Sequence, residues 1–126
     1  MMMKKEDQSF FARVFRSFYY AFRGILSFIT APSNAWIHIP AAIAACTLGW
    51  LLKITKMEWF AILFSIGIVI ICEMFNTALE SLTDLVSPDY NKLAERTKDI
   101  AAGAVLVASI LALVIGGMIF VPKLIG

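Results

Sequence analysis

With 126 residues, 60% of them hydrophobic, and a mean hydropathy of +0.82, the chain is too apolar for an ordinary soluble domain. Charged residues are 16% of the total, against ~25% in soluble proteins, so one all-α membrane domain spanning residues 1–126 is expected. A net charge of +2 is too small to argue for nucleic acid.

Residues 1–8 hold no apolar core and no small-residue cleavage site, so no secretory signal is expected. Residues 9–29 read as an amphipathic helix. Phe11, Val14, Phe15, Phe18, Phe22, Ile25 and Ile29 share one side, and Arg13, Arg16, Tyr20, Arg23 and Ser27 the other. That pattern suits a helix lying on a bilayer with its arginines toward phosphates, and its apolar face also suits packing on the protein's own helices. Thr30 to Asn34 breaks it. A first membrane span is predicted over 35–52, with a kink at Pro40. Lys53 to Glu58 is a polar connection. A second span over 59–86 is longer than the ~20 residues a bilayer needs, so its last turns, from Glu80, should protrude into the headgroup layer. Ser87 to Asn91 is a turn. The third span is predicted over 93–121, apolar from Ile100 and closed by Pro122. Ala101, Ala102, Gly103, Ala104 and Ala108 give it a smooth face for close packing. Trp36, Trp50 and Trp59 lie near span ends as interfacial anchors. Cys46 and Cys72 read as small apolar residues, not as a disulfide or metal pair.

Three spans put the N-terminus and the turn near residue 90 on one side of the membrane. That side has eight basic residues, Lys4, Lys5, Arg13, Arg16, Arg23, Lys92, Arg96 and Lys98, against Lys53, Lys56 and Lys123 opposite. The richer side is expected to be cytoplasmic.

The most informative stretch runs from Glu73 to Glu80. On a helix, Glu73, Asn76, Glu80 and Asp84 follow at steps of 3, 4 and 4 and form one polar stripe beside an aliphatic run. Ionisable groups at membrane depth are costly and mark a task. Glu95, Lys98 and Asp99 open the next helix, which a short turn makes an antiparallel neighbour, facing the same surface as Glu80 and Asp84. A structural salt-bridge network is the competing reading. Against it, Glu73, Glu80, Asp84, Glu95 and Asp99 outnumber Arg96 and Lys98. An acidic, oxygen-rich surplus suits magnesium, which tends to come with substrate phosphates.

The stretch Glu73-Met-Phe-Asn-Thr-Ala-Leu-Glu80, with Asp84, Ser87-Pro-Asp-Tyr90, Lys98-Asp99 and Ala101-Ala-Gly-Ala-Val-Leu106, resembles the small bacterial integral-membrane diacylglycerol kinase and undecaprenol kinase family. The resemblance extends from about Arg13 to Phe120, and its E-x-x-N-S/T-A-x-E pattern is highly specific. It implies a homotrimer with shared active sites in the bacterial cytoplasmic membrane. It also implies transfer of the γ-phosphoryl of MgATP to a lipid hydroxyl. By that resemblance Glu73 matches the general base, Asn76 a supporting residue that orients Glu73 or a metal-bound oxygen, and Glu80 a magnesium ligand that also serves ATP. Lys98 and Asp99 match nucleotide contacts, and Asp89, Tyr90 and Asn91 a loop touching nucleotide. Arg13 and Tyr20 match surface-helix positions facing ATP, Arg13 also facing lipid. His38, near headgroup depth, matches the histidine of undecaprenol-type members and implies a lipid contact.

One position departs from the family. A second metal-binding glutamate usually stands two residues ahead of the place of Asn34, where this chain has Pro32, and a nearby arginine is replaced by Trp36. Glu80 is then expected to hold magnesium with Asp84, Asn34, water and ATP oxygens. Two other functional readings stand beside the kinase: a degenerate relative that binds lipid or nucleotide without turnover, and a lipid-phosphate phosphatase.

Overall fold

The computed structural model describes residues 9–31 and 35–126. Pro32 and Asn34, and with them the question of the second metal ligand, lie outside the described residues, as do Lys4 and Lys5. Four α-helices and no strand are present among the described residues: α1 (Phe10–Thr30), α2 (Ala35–Leu51), α3 (Lys56–Val86) and α4 (Lys92–Ile125). One compact unit holds α1 and a second holds α2 to α4.

Ser9 starts α1, its hydroxyl accepting from the Ala12 amide at 3.3 Å, which satisfies one of the free donors of the first turn. Phe11, Phe15, Phe18 and Phe22 are all exposed. The Arg23 guanidinium sits 5.8 Å from the Tyr19 ring centroid, in cation–π range.

α3 and α4 are long and apolar enough to cross a membrane. α2 is as apolar, and its 17 residues, ~25 Å at ~1.5 Å each, stand at the lower limit of the ~17–25 residues that cross a bilayer. It runs on through Pro40. Two predicted boundaries move by more than one residue. α3 begins three residues before Trp59, because Thr55 and Glu58 form a capping box. The Thr55 hydroxyl accepts from the Glu58 amide at 3.2 Å, and the Glu58 carboxylate accepts from the Thr55 amide at 3.4 Å. α4 does not stop at Pro122. It continues to Ile125, because a proline so near the end removes one backbone bond while the Gly126 amide still closes the last turn on the Pro122 carbonyl at 3.0 Å.

The chain reverses between α2 and α3 at Lys53, whose φ of 51° lies in the left-handed region. Ile54 from this corner packs with Ile62 and Phe120, ringed by Leu48, Trp59 and Ile119. Lys123 and Glu58, 3.4 Å apart, tie the end of α4 to the start of α3 beside it. From there α3 and α4 lie side by side, joined at the other end by residues 87–91. The buried residues of α4 include Ala101, Val105 and Ala108, so part of the predicted smooth face is used within the chain, whereas Ala102 and Ala104 are exposed and Gly103 meets nothing. Lipid offers no hydrophobic force between helices, so this contact rests on close packing of small residues. Cys46 and Cys72 are free and half-buried.

Gly49 ties the corner together. A Cβ there would come within 2.9 Å of the Ile54 Cδ1 and 3.1 Å of the Trp59 ring. Overpacking of this kind costs ~1–3 kcal/mol, more than the few tenths a helix gains by losing a glycine for a β-branched residue. Gly49→Val should therefore lower the thermal unfolding midpoint of the protein in detergent micelles. An unchanged or raised midpoint would show that the corner yields freely.

Candidate active site

The buried residues of α3 are Ile62, Ser65, Val69, Glu73 and Asn76, and they follow one another at helical spacing. Continued by Glu80 and Asp84, they form a single line along the helix that changes character on the way. Its first half is apolar except for Ser65, whose hydroxyl bonds back to the Ala61 carbonyl at 2.7 Å. Its middle is a carboxylate and a carboxamide inside the packed helices. Its last members, Glu80 and Asp84, are exposed. The predicted stripe is thus present, with a gradient from deep to open.

Glu73 is the largest side chain fully buried among the described residues, at 1% exposure. Its Oε2 is buried without a hydrogen-bond partner among them. The His38 Nε2 of α2 is 3.6 Å away, and no arginine or lysine pairs with this carboxylate among the described residues. Asn76, 5% exposed, donates from Nδ2 to the Glu80 Oε1 at 3.1 Å, while its own Oδ1 is buried and without a partner among the described residues. Asn76 therefore orients Glu80, one turn on, by a direct bond.

Across the helix pair, Lys98 of α4 bonds Asp84 of α3 at 2.5 Å. Both are substantially exposed, and an exposed ion pair contributes ~0–1 kcal/mol, so Lys98 is free to exchange Asp84 for a phosphate at little cost. Next to it a cavity of about 340 Å³ opens, lined by the 87–91 turn and by Asp84, Glu95, Lys98 and Asp99. It holds Asp89, Tyr90 and Asn91 as well as Lys98 and Asp99, so five predicted nucleotide contacts share one hollow. Asn91 has a structural task there. As N-cap of α4 its Oδ1 accepts from the Leu93 amide at 2.8 Å and the Ala94 amide at 3.2 Å. The Tyr90 hydroxyl donates to the Glu95 Oε2 at 2.8 Å, and that bond raises the phenol above its usual pKa range. Arg13 and Tyr20 are exposed on α1, which belongs to the other unit.

Hard oxygens at Glu80, Asp84 and Asn76 fit magnesium, which uses one or two carboxylates and takes its other ligands from phosphate and water. No group of three acidic, histidine or cysteine side chains clusters among the described residues. Two features escape the sequence reading. The nearness of His38 to Glu73 has no local signal, since the two lie on different helices. The N-cap role of Asn91 does have one, an asparagine directly before a helical pattern.

Residues 19–120 match the model of the family described as prokaryotic diacylglycerol kinase. The chain is 37% identical over 123 residues to the undecaprenol kinase of Bacillus subtilis (strain 168), covering 98% of this chain and all of that one. It is 38% identical over 109 residues to a diacylglycerol kinase of Synechocystis sp. (strain ATCC 27184 / PCC 6803 / Kazusa), covering 86% of this chain and 62% of that longer protein. It is 26% identical over 111 residues to the diacylglycerol kinase of Escherichia coli (strain K12), covering 82% and 85% of the two chains. A family match over most of the chain, joined to a near full-length relative, makes this protein a member of the prokaryotic diacylglycerol kinase family.

Proposed function

We propose that the protein is an ATP-dependent lipid kinase whose acceptor is undecaprenol in preference to diacylglycerol. The observation that carries the chemistry is the burial of Glu73 at one end of a polar line that reaches an acidic hollow with one lysine. The preference for undecaprenol rests on the near full-length likeness to an undecaprenol kinase and on His38.

Glu73 takes the proton of the lipid hydroxyl. The hydroxyl oxygen forms a bond to the γ-phosphorus, and the bond to the bridging oxygen breaks with its electron pair leaving on ADP. Such transfers depend on positioning and charge neutralisation more than on covalent help from the protein. Asn76 supports the site by holding Glu80 through its amide. Glu80 is the residue that would hold magnesium, which supplies neutralisation of the phosphate oxygens when bound. Lys98 and Asp99 contact the nucleotide with Asp89, Tyr90 and Asn91 around it. Arg13, Tyr20 and His38 complete the ATP and lipid contacts assigned by resemblance. α2, α3 and α4 act as three spans of one kinase domain in the bacterial cytoplasmic membrane, with α1 on the surface and the N-terminus cytoplasmic. Assembly as a homotrimer is part of the proposal and follows from the family resemblance, while exposed apolar side chains such as Ile43, Phe64 and Leu113 suit contact with lipid. A degenerate or phosphatase role has nothing comparable behind it.

Glu73→Gln should lower turnover by ~10²–10⁴-fold, the range for a lost general base, with assembly intact by size-exclusion chromatography. Unaltered turnover would remove the assignment of the base. Glu80→Ala should raise KM for MgATP roughly tenfold, the effect of losing ~1.4 kcal/mol of binding, and an unchanged value would count against a metal role. With radiolabelled ATP and purified protein in mixed micelles, undecaprenol should be labelled faster than diacylglycerol. Faster labelling of diacylglycerol would reverse the acceptor assignment, and label in neither would end the kinase reading.

A further inference from the structure

α2 has no Asp, Glu, Lys or Arg along its length and carries the chain's one histidine. That histidine faces the most buried carboxylate among the described residues. The Nε2 of His38 is 3.6 Å from the Glu73 Oε2, with the side chains 19% and 1% exposed. The separation exceeds the ~3.2 Å limit of a good N–H···O bond, yet it is small enough for a slight side-chain rotation to close. Oε2 has no other partner among the described residues, and a buried carboxylate oxygen left without a donor is costly. Rotation about the last torsion of a glutamate is soft, so an untethered carboxylate does not keep one oxygen aimed at a substrate.

We propose that His38 is the positioning residue of Glu73. Its Nε2–H engages Oε2 and fixes the carboxylate plane, leaving the other oxygen for the lipid hydroxyl. The inference rests on Glu73 being the general base and goes beyond a headgroup contact for His38. It makes an α2 residue decide how well an α3 residue works.

Because the chain has a single histidine, isotope-labelled histidine in tag-free, full-length protein gives one imidazole pair of nitrogen NMR signals. Glu73→Gln should move the Nε2 signal in lipid micelles, whereas Glu58→Gln, at the far end of α3, should not. His38→Leu should lower kcat roughly 100-fold, the scale of a misplaced catalytic group, and leave KM for MgATP within about twofold. His38→Gln, whose amide nitrogen reaches the place of Nε2, should regain most of the loss. His38→Asn, which mimics Nδ1, should not. A signal indifferent to Glu73→Gln overturns the proposal. So does a His38→Gln variant as slow as His38→Leu, or a change confined to KM for the lipid, which marks a headgroup contact alone. The NMR measurement keeps the native histidine, so it decides even where His38→Leu fails to fold. A wild-type protein that labels neither acceptor ends the kinase reading, while the nitrogen signals still decide the pairing.

Discussion

A carboxylate with 1% exposure, held between helices that are themselves built for lipid, is the constraint around which α2 to α4 are arranged. An ionisable group at membrane depth costs a few kcal/mol even on the mildest scales, ~2.5–3.5 kcal/mol for aspartate at a span centre. Hydrophobic burial does not offset that cost in a bilayer, since the lipid is as apolar as the protein interior. Close contact must do so. The small residues Ala101 and Ala108, with Val105 buried between them, let α4 approach α3, and the cluster of Ile54, Ile62 and Phe120 anchors the helices at the end remote from the site. Ile62 and Glu73 are eleven residues apart on one helix, ~16 Å along its axis.

The line on α3 is legible in sequence because its period is that of the helix and its residues contrast sharply with their neighbours. Glu73, Asn76, Glu80 and Asp84 need no tertiary information to fall together. The pairing of α3 with α4 is legible too, because a five-residue link leaves no alternative to antiparallel neighbours. Element ends are less so. The Thr55 and Glu58 capping box is a readable signal for an earlier start, whereas the extension past Pro122 reflects a last turn closed by Gly126 that no propensity foretells. The approach of His38 to Glu73 is illegible for a deeper reason. It depends on how α2 turns about its own axis, and an almost uniformly apolar helix carries little pattern to fix that rotation in advance.

The two ends of the polar line are built to different standards. At the deep end, Glu73 and Asn76 are enclosed, with oxygens that find no hydrogen bond among the described residues. At the open end, Lys98 and Asp84 pair in solvent, and Tyr90 reaches Glu95 across the exposed turn. Contacts of the second kind contribute at most ~1 kcal/mol each and exchange readily, whereas rearranging the first kind requires unpacking helices. A base proposed to take a proton in a fixed direction is suited to the enclosed end. Groups that must admit and release a charged nucleotide belong where partners can be traded. Asn76 is where the two regimes meet, since its backbone is locked in the packed helix while its amide reaches out to Glu80. A shift of Glu80 would thus be passed to Asn76, the residue one turn from the buried carboxylate. The spacing of three and then four that makes the stripe recognisable is in this sense a mechanical linkage as well as a signature.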